Sequence, residues 1–375
     1  MRQRKFGRRK GALAVLAAVA VGASLIVASG SAGAGQAAPA AAPKAFTALG
    51  SNGQPLAKEV NSPTKVLGVK TAADGTKTTT VKIGPISLAP MPEDGDDHEH
   101  PGTAGDVGTM HGPDDPMGHH GAMTRSLAIM LPPCNNCYIR GIKPDMKFPD
   151  GSNANYDSDV MLHHTVFFDR SRSDVTCPGG WPGMAGRRIF ASGNERTGGT
   201  LPEGYGVKLG FLPLTYMMIE LMSMSHQQKD VIITVDLETV PDNTPGMKEA
   251  TPVWLDADNC GLSEHAVPEG PSTTTWDWKS TIKGTFVGAG GHQHDGGESI
   301  TLSNATTNQQ ICTSTAGYDN DPSYLGHIDT MSKCLGENLG RVEKGETLHL
   351  DSVYHTHMAD DHAMSIMVAF VDEKA

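Results

Sequence analysis

From Arg125 to its C-terminus the chain is cut into short runs of four to nine apolar or alternating residues. Examples are SLAIML, CYIRGIK, VMLHHTVFF, RIFAS, GVKLGFL and VIITVDLETV, with Gly, Pro, Asn and Asp between them. Runs of that length suit half-buried or buried strands and leave no room for a helical stripe. Only LTYMMIELMSM, residues 214 to 224, fits either state on periodicity alone. Regular short strands predict an all-β protein built from antiparallel β-sandwiches. Residues 241 to 280 loosen into a Pro- and Ser/Thr-rich stretch, and strand rhythm resumes with STIKGTFVGAGGHQHDGGESITLSN, ETLHLDSVYH and AMSIMVAFV. A boundary near Pro241 therefore predicts two domains, 125–241 and 242–375. Aromatic residues make up only 5%, so the cores must rest on Val, Ile, Leu and some of the 18 Met.

The N-terminal third reads differently. Six Lys/Arg among residues 2 to 10 precede an Ala/Val/Leu-rich run and the small residues SGSAGAGQAA, the pattern of a signal peptide over residues 1–34; an uncleaved membrane anchor is the lesser alternative, because the run is short and Ala-rich. It predicts a secreted protein with no stable membrane insertion. Removing those six of 30 basic residues leaves 24 against 42 acids, a balance of −18, which argues against nucleic acid as a partner. The six cysteines all lie beyond residue 130 and suit up to three disulfides in an oxidising compartment. The CxxC at Cys134 and Cys137 reads as structural, since no helical pattern follows it.

Residues 35–124 read as a low-complexity linker whose Ala/Pro/Gly-rich start cannot repay the entropy of ordering. Within it, β-branched alternation on both sides of Asp74-Gly75 signals a hairpin, expected as a small appendage. MPEDGDDHEHPGTAGDVGTMHGPDDPMGHHGAM follows, with five histidines, four methionines and no periodicity. Imidazole with thioether suits copper, because soft sulfur favours Cu(I). The same stretch also reads as a solvated acidic linker that happens to contain histidine.

Two His motifs stand in the strand-like region. In GGHQHDGG, residues two apart on a strand share a face, so His292 and His294 can address one ion, with glycines allowing close backbone approach. In DVMLHHTVFFDR, a flat strand sends His163 and His164 to opposite faces. Both reach one metal only where the strand begins, bulges or twists. The last strand places Met364, Ile366, Val368 and Phe370 on one face and Met367 on the other, so Met364 could add a thioether to His292 and His294, or simply fill space. His355 and His357 form another His-x-His, read as an adventitious surface site. No Ser-His-Asp motif or phosphate-binding Gly loop occurs.

In order, LHHTVFF, Cys177, the LP-G-GV-LG turn from Leu201 to Gly210, His292-x-His294 and DDHAMSIMVAF resemble the copper type II, ascorbate-dependent monooxygenases, the peptidylglycine α-hydroxylating and dopamine β-hydroxylating enzymes. The resemblance spans about residues 127 to 372. It implies two jelly-roll-like β-sandwich domains, each with one copper, facing across a solvent-filled cleft. His163 and His164 would belong to the N-domain copper that relays electrons from a reductant such as ascorbate. His292, His294 and Met364 would hold the C-domain copper, where O2 binds and a small-molecule or peptide substrate is hydroxylated. The family's third N-domain histidine aligns with Met222, which leaves three readings: Met222 as a substitute ligand, His226 as a shifted ligand, or a site reduced to two histidines. Ser365 stands where the animal enzymes carry a disulfide cysteine, so their pairing does not transfer, although Cys312 with Cys334 is a plausible pair.

Two rivals accompany this reading. A secreted copper-handling protein without catalysis would account for the His/Met-rich stretch and the imperfect third ligand, and a structural sandwich would make the histidines incidental.

Overall fold

The computed structural model describes residues 58–91, 121–130, 133–180, 186–258, 260–261 and 263–375. The expected signal peptide and most of the His/Met-rich stretch lie outside the described residues. Among the described residues there is no α-helix, only strands and two 3-10 turns, Tyr156–Ser158 and Pro322–Tyr324. No helix among them is long and apolar enough to cross a membrane. The ambiguous LTYMMIELMSM stretch is a strand, Thr215–Ser223.

The strands form four sheets. The first runs, in spatial order, Lys58–Asn61, Ala122–Met130, Thr215–Ser223, Val160–Asp169, Arg187–Ser192. It faces a sheet centred on Cys137–Lys147, Asp230–Pro241 and Lys77–Ser87, and together they bury Ile83, Met130, Ile139, Phe167, Ile219 and Val235. The Asp74-Gly75 hairpin is part of this second sheet: Lys77–Ser87 pairs with Asp230–Pro241 over nine residue pairs, and its alternating buried side chains need that core.

The third sheet runs Thr251–Asp256, Asp360–Asp372, Gly284–Gln293, Lys333–Val342, and the fourth is built on Thr347–Thr356 and Gly297–Asn304. Between them lie Val253, Phe286, Ile300, Leu350, Met367 and Val371. Apart from two short parallel pairings, Lys58–Asn61 with Ala122–Met130 and Lys248–Glu249 with Tyr205–Leu209, both pairs of sheets are antiparallel sandwiches, as the strand rhythm predicts. Lys248–Glu249 still pairs with Tyr205–Leu209 of the first sandwich, and Thr251–Asp256 already belongs to the second.

The first and third sheets have a second apolar face each, and these meet. Val166, Phe168 and Met218 from one pack with Trp254, Met364 and Ile366 from the other. As the period-2 pattern of the last strand predicts, Met364 and Ile366 take this face while Met367 takes the sandwich core. Three disulfides, Cys134–Cys137, Cys177–Cys260 and Cys312–Cys334, complete the fold. The third is the pair expected from the sequence, and the second links the two sandwiches. Beside that link Arg188 binds Asp174 (Nε to Oδ2 2.9 Å), lies 3.8 Å from Asp256 and stacks over Trp254 at 4.6 Å.

Candidate metal centre

The outer face of the first sheet is arranged in rows across three strands. Leu127, Met218 and Val166 form an apolar row, and Arg125, Glu220 and His164 the next; Met123 and Met161 flank Met222 in the third. A strand with strict alternation would put Leu162 and His164 on the same face as Val166. Instead Val160 and Leu162 face the sandwich core while Val166 and Phe168 face the second sandwich, so one residue is extra between them. The register shows where: Glu220 pairs with His164 and Met222 with Met161, two steps on one strand against three on the other. This is a β-bulge, and it turns both His163 and His164 outward. The geometric condition that the sequence sets for two adjacent histidines is met.

His292 and His294 come from the end of Gly284–Gln293 and the turn after it, opposite this bulge. All four imidazoles are buried. Ring centroids of His163 and His164 are 3.9 Å apart, His163 and His294 5.1 Å, His164 and His292 5.1 Å. His164 Nε2 lies 3.1 Å from His294 Nε2. Ligand atoms of His163, His164 and His294 all fall within 4.8 Å of one another. Two imidazole nitrogens on one tetrahedral ion at ~2.0 Å stand about 3.3 Å apart, so this spacing suits a shared metal. Neither ring nitrogen of His292 has a hydrogen-bond partner among the described residues, which is costly for a buried imidazole without a ligand. The donor set therefore fits a metal ion.

Two carboxylates support the rings. Glu220 Oε2 lies 3.0 Å from His164 Nδ1, and Arg125 Nε donates to Glu220 Oε1 at 2.8 Å. Burial pushes the Glu220 carboxyl up, but the hydrogen bond and charge of His164 and the Arg125 guanidinium outweigh it and hold it at about 2. Burial lowers His164 in turn, against the pull of Glu220; with Nδ1 turned to Glu220, a neutral ring would present the Nε2 lone pair to a metal. Such a carboxylate on the far nitrogen fixes the ring's orientation and tautomer. Glu195 stands 3.6 Å from His292 Nδ1 and accepts from the Gly193 amide at 2.9 Å. Burial raises its carboxyl, yet His292 and backbone amides bring it below the usual range. Tyr354 receives the His294 amide at 3.1 Å and donates to the Met364 carbonyl, tying the His294 turn to the last strand.

Met364 sits in the apolar contact between sandwiches. The register His292 with Ile366 and Gln293 with Ser365 points it across from His294 on the neighbouring strand. Met222 is buried in the methionine row with Met161, Tyr156 and Tyr324. His226 is exposed in the turn after Thr215–Ser223 and is not brought to the four imidazoles. His355 and His357 are exposed. Sequence reading missed Glu220, Arg125, Glu195 and Tyr354. Glu220 did carry a signal, as the single acid within the apolar run TYMMIELMSM.

Two hollows adjoin the imidazoles. A small polar one is bounded by Tyr156, Met161, His163, Asn194, Glu195 and His294 among others. A larger one of about 70 Å³ is lined by His292 and Glu195 together with apolar residues that include Ile142, Phe190, Leu201, Val207 and Phe370.

The chain is similar to the probable copper-dependent oxygenase M1 of a Phoma species, 28% identical over 252 residues, 64% of this chain and 63% of that protein. It is also similar to the probable copper-dependent oxygenase clz3 of Cochliobolus lunatus, 27% identical over 224 residues, 56% of this chain and 69% of that protein. Both relatives are named as copper oxygenases. No family model matches the chain. Imidazole ligands alone suit copper, zinc, iron and nickel alike. The chain spans less than two thirds of the length of the first relative.

Proposed function

We propose that the protein is a secreted copper-dependent monooxygenase that hydroxylates a small molecule with O2 and an ascorbate-like reductant. The observation that supports this best is the convergence of His163 and His164 from one sandwich with His294 from the other. Those three imidazoles would hold a copper ion, with His292 and Met364 beside them as the donors for a second if the protein carries two. Bound copper would supply the one-electron chemistry that lets dioxygen react with a C–H bond. The chain's own residues do the rest. Glu220, braced by Arg125, orients His164; Glu195 and the Gly193 backbone orient His292; and the apolar contact around Phe168 and Trp254 excludes water from the donors. The largely apolar hollow that His292 helps to line favours an apolar substrate over a charged peptide.

Copper stoichiometry of the full chain, with ascorbate-driven O2 consumption measured on the same samples, tests the reading. Wild type should hold tightly bound copper and consume O2, and His294→Ala should lose both. Copper retained in full by His294→Ala, together with His163→Ala, would overturn it. The alternative of a copper-handling protein without turnover is favoured by the His/Met-rich sequence from 91 to 123. It predicts tight copper with no O2 consumption.

A further inference from the structure

The contact beside the imidazoles differs in kind from the other apolar clusters. The main core of the first sandwich is filled largely by Ile, Leu, Val and Phe. In the cluster around Tyr156 and Tyr324, by contrast, every aliphatic side chain is a methionine: Met161 and Met222 buried, Met123 and Met224 half-buried against them. Three of these lie in one cross-strand row, Met222 pairing with Met123 on one side and Met161 on the other. Cross-strand partners share a face and stand within side-chain reach, so the row runs over the same surface as Arg125, Glu220 and His164.

The row has two distinct ends. At its inner end Met161 lines the polar hollow that also holds His163, His292 and His294, and the Tyr156 hydroxyl donates to its sulfur at 3.1 Å. At its outer end Met123 is half-buried, and the backbone of Gly121 lies on the Met222 thioether. A Cβ at Gly121 would stand 2.8 Å from that sulfur and collide with Met222 Cγ. The chain ahead of Met123 carries five histidines and three further methionines between 91 and 120.

Methionine fills irregular gaps in many cores, and a packing role alone would be met by leucine. Three methionines in one cross-strand row, the innermost lining a hollow shared with imidazoles, offer soft donors that leucines lack. We propose that Met123, Met222 and Met161 form a binding site for a soft monovalent cation, Cu(I), that hands the ion on to the histidines. Thioether sulfur selects Cu(I), while imidazole accepts either oxidation state, so a sulfur site opening on nitrogen donors gives the ion a direction of travel. No electron is transferred in this step: Cu(I) exchanges thioether for imidazole ligands without changing charge. The inference rests on the protein being one that uses copper, and extends it to how the ion arrives.

The test uses the full-length apo chain labelled with 13C in the methionine methyl groups, titrated with Ag(I) as a diamagnetic stand-in for Cu(I). Resonances are assigned by single Met→Leu variants. The methyls of Met123, Met161 and Met222 should shift together with the first equivalent, separately from Met110 and Met117. Met222→Leu should abolish the concerted shift of the other two. Met161→Leu, at the inner end, should do the same with the amide spectrum otherwise unchanged, which guards against a folding defect. His164→Ala with His294→Ala should leave the methionine shifts in place, so that failure of the histidine site and failure of this one are told apart. Shifts confined to Met110 and Met117, or a Met222→Leu variant that binds Ag(I) as wild type does, would overturn the proposal.

Discussion

His164 is held by a carboxylate that is not a metal ligand, and Glu195 stands beside His292; those neighbours are where single substitutions speak most clearly. Glu220 has one oxygen on His164 and the other on Arg125, within a buried row. Glu220→Gln keeps the shape and removes the charge, leaving His164 free to turn or change tautomer. Loss of such a support typically costs 10–100-fold in metal affinity, and competition against a chelator of known affinity should show a Cu(II) affinity weaker by about that factor. An unchanged affinity would detach Glu220 from the site. Gly193 makes the complementary case. A Cβ there would stand 2.5 Å from both His292 Cε1 and Glu195 Oε2, so Gly193→Ala must push the ring or the carboxylate away. It should perturb the EPR spectrum of bound Cu(II) while leaving the far-UV circular dichroism unchanged, and an identical spectrum would remove His292 from contact with the ion.

Elements carry the larger energies. Arg188 on Arg187–Ser192 and Asp174 in the loop before it form a buried pair next to Trp254 and Asp256 of the other sandwich. Burial raises the Asp174 carboxyl, but the hydrogen bond and charge of Arg188 and backbone amides outweigh it and hold it below its ordinary value of 3.8. A carboxyl depressed by folding contributes stability that is present above its unfolded value and lost as pH falls through the folded one. Denaturant melts should therefore show stability falling as pH drops below about 4, and Asp174→Asn should flatten that fall. The variant should also be less stable at neutral pH by more than a surface pair is worth, because the buried guanidinium keeps only the more distant Asp256 as a charge partner. A loss below about 1 kcal/mol, the scale of a surface pair, would mean that solvent reaches the pair. The strands themselves were legible in the sequence, because period-2 burial is a local property: Met364 and Ile366 against Met367 could be assigned to opposite faces from spacing alone. The bulge at His163 was legible only as a condition. Whether the extra residue existed depended on the register with Thr215–Ser223, some 56 residues away in the His164–Glu220 contact. Glu220 could be noticed as an acid in an apolar run, but not the ring it would meet.

At the scale of the whole molecule the sequence reading placed the paired-His motifs in separate halves, each with its own ion, whereas the structure puts all four rings in one cluster. His164 and His294 touch across 130 residues of chain, a pairing that no local pattern encodes and that follows from the apolar match between Phe168 and Trp254. An ion shared by His163, His164 and His294 would then tie the two sandwiches together, alongside the Cys177–Cys260 disulfide. Binding that requires the folded, docked arrangement stabilises it by mass action, about 2.7 kcal/mol at a free concentration 100 times Kd. Ions taken up by the His/Met-rich sequence ahead of Met123 need no docking and should contribute nothing to that stability. Thermal melts with increasing Cu(II) should accordingly raise the Tm of wild type, and raise it as much in a variant whose five histidines between 98 and 120 are replaced by alanine. Replacing His294 alone should abolish the shift, whatever copper the His/Met-rich sequence still takes up. A Tm that tracks total copper bound, rather than the presence of His294, would mean that the ion does not bridge the sandwiches.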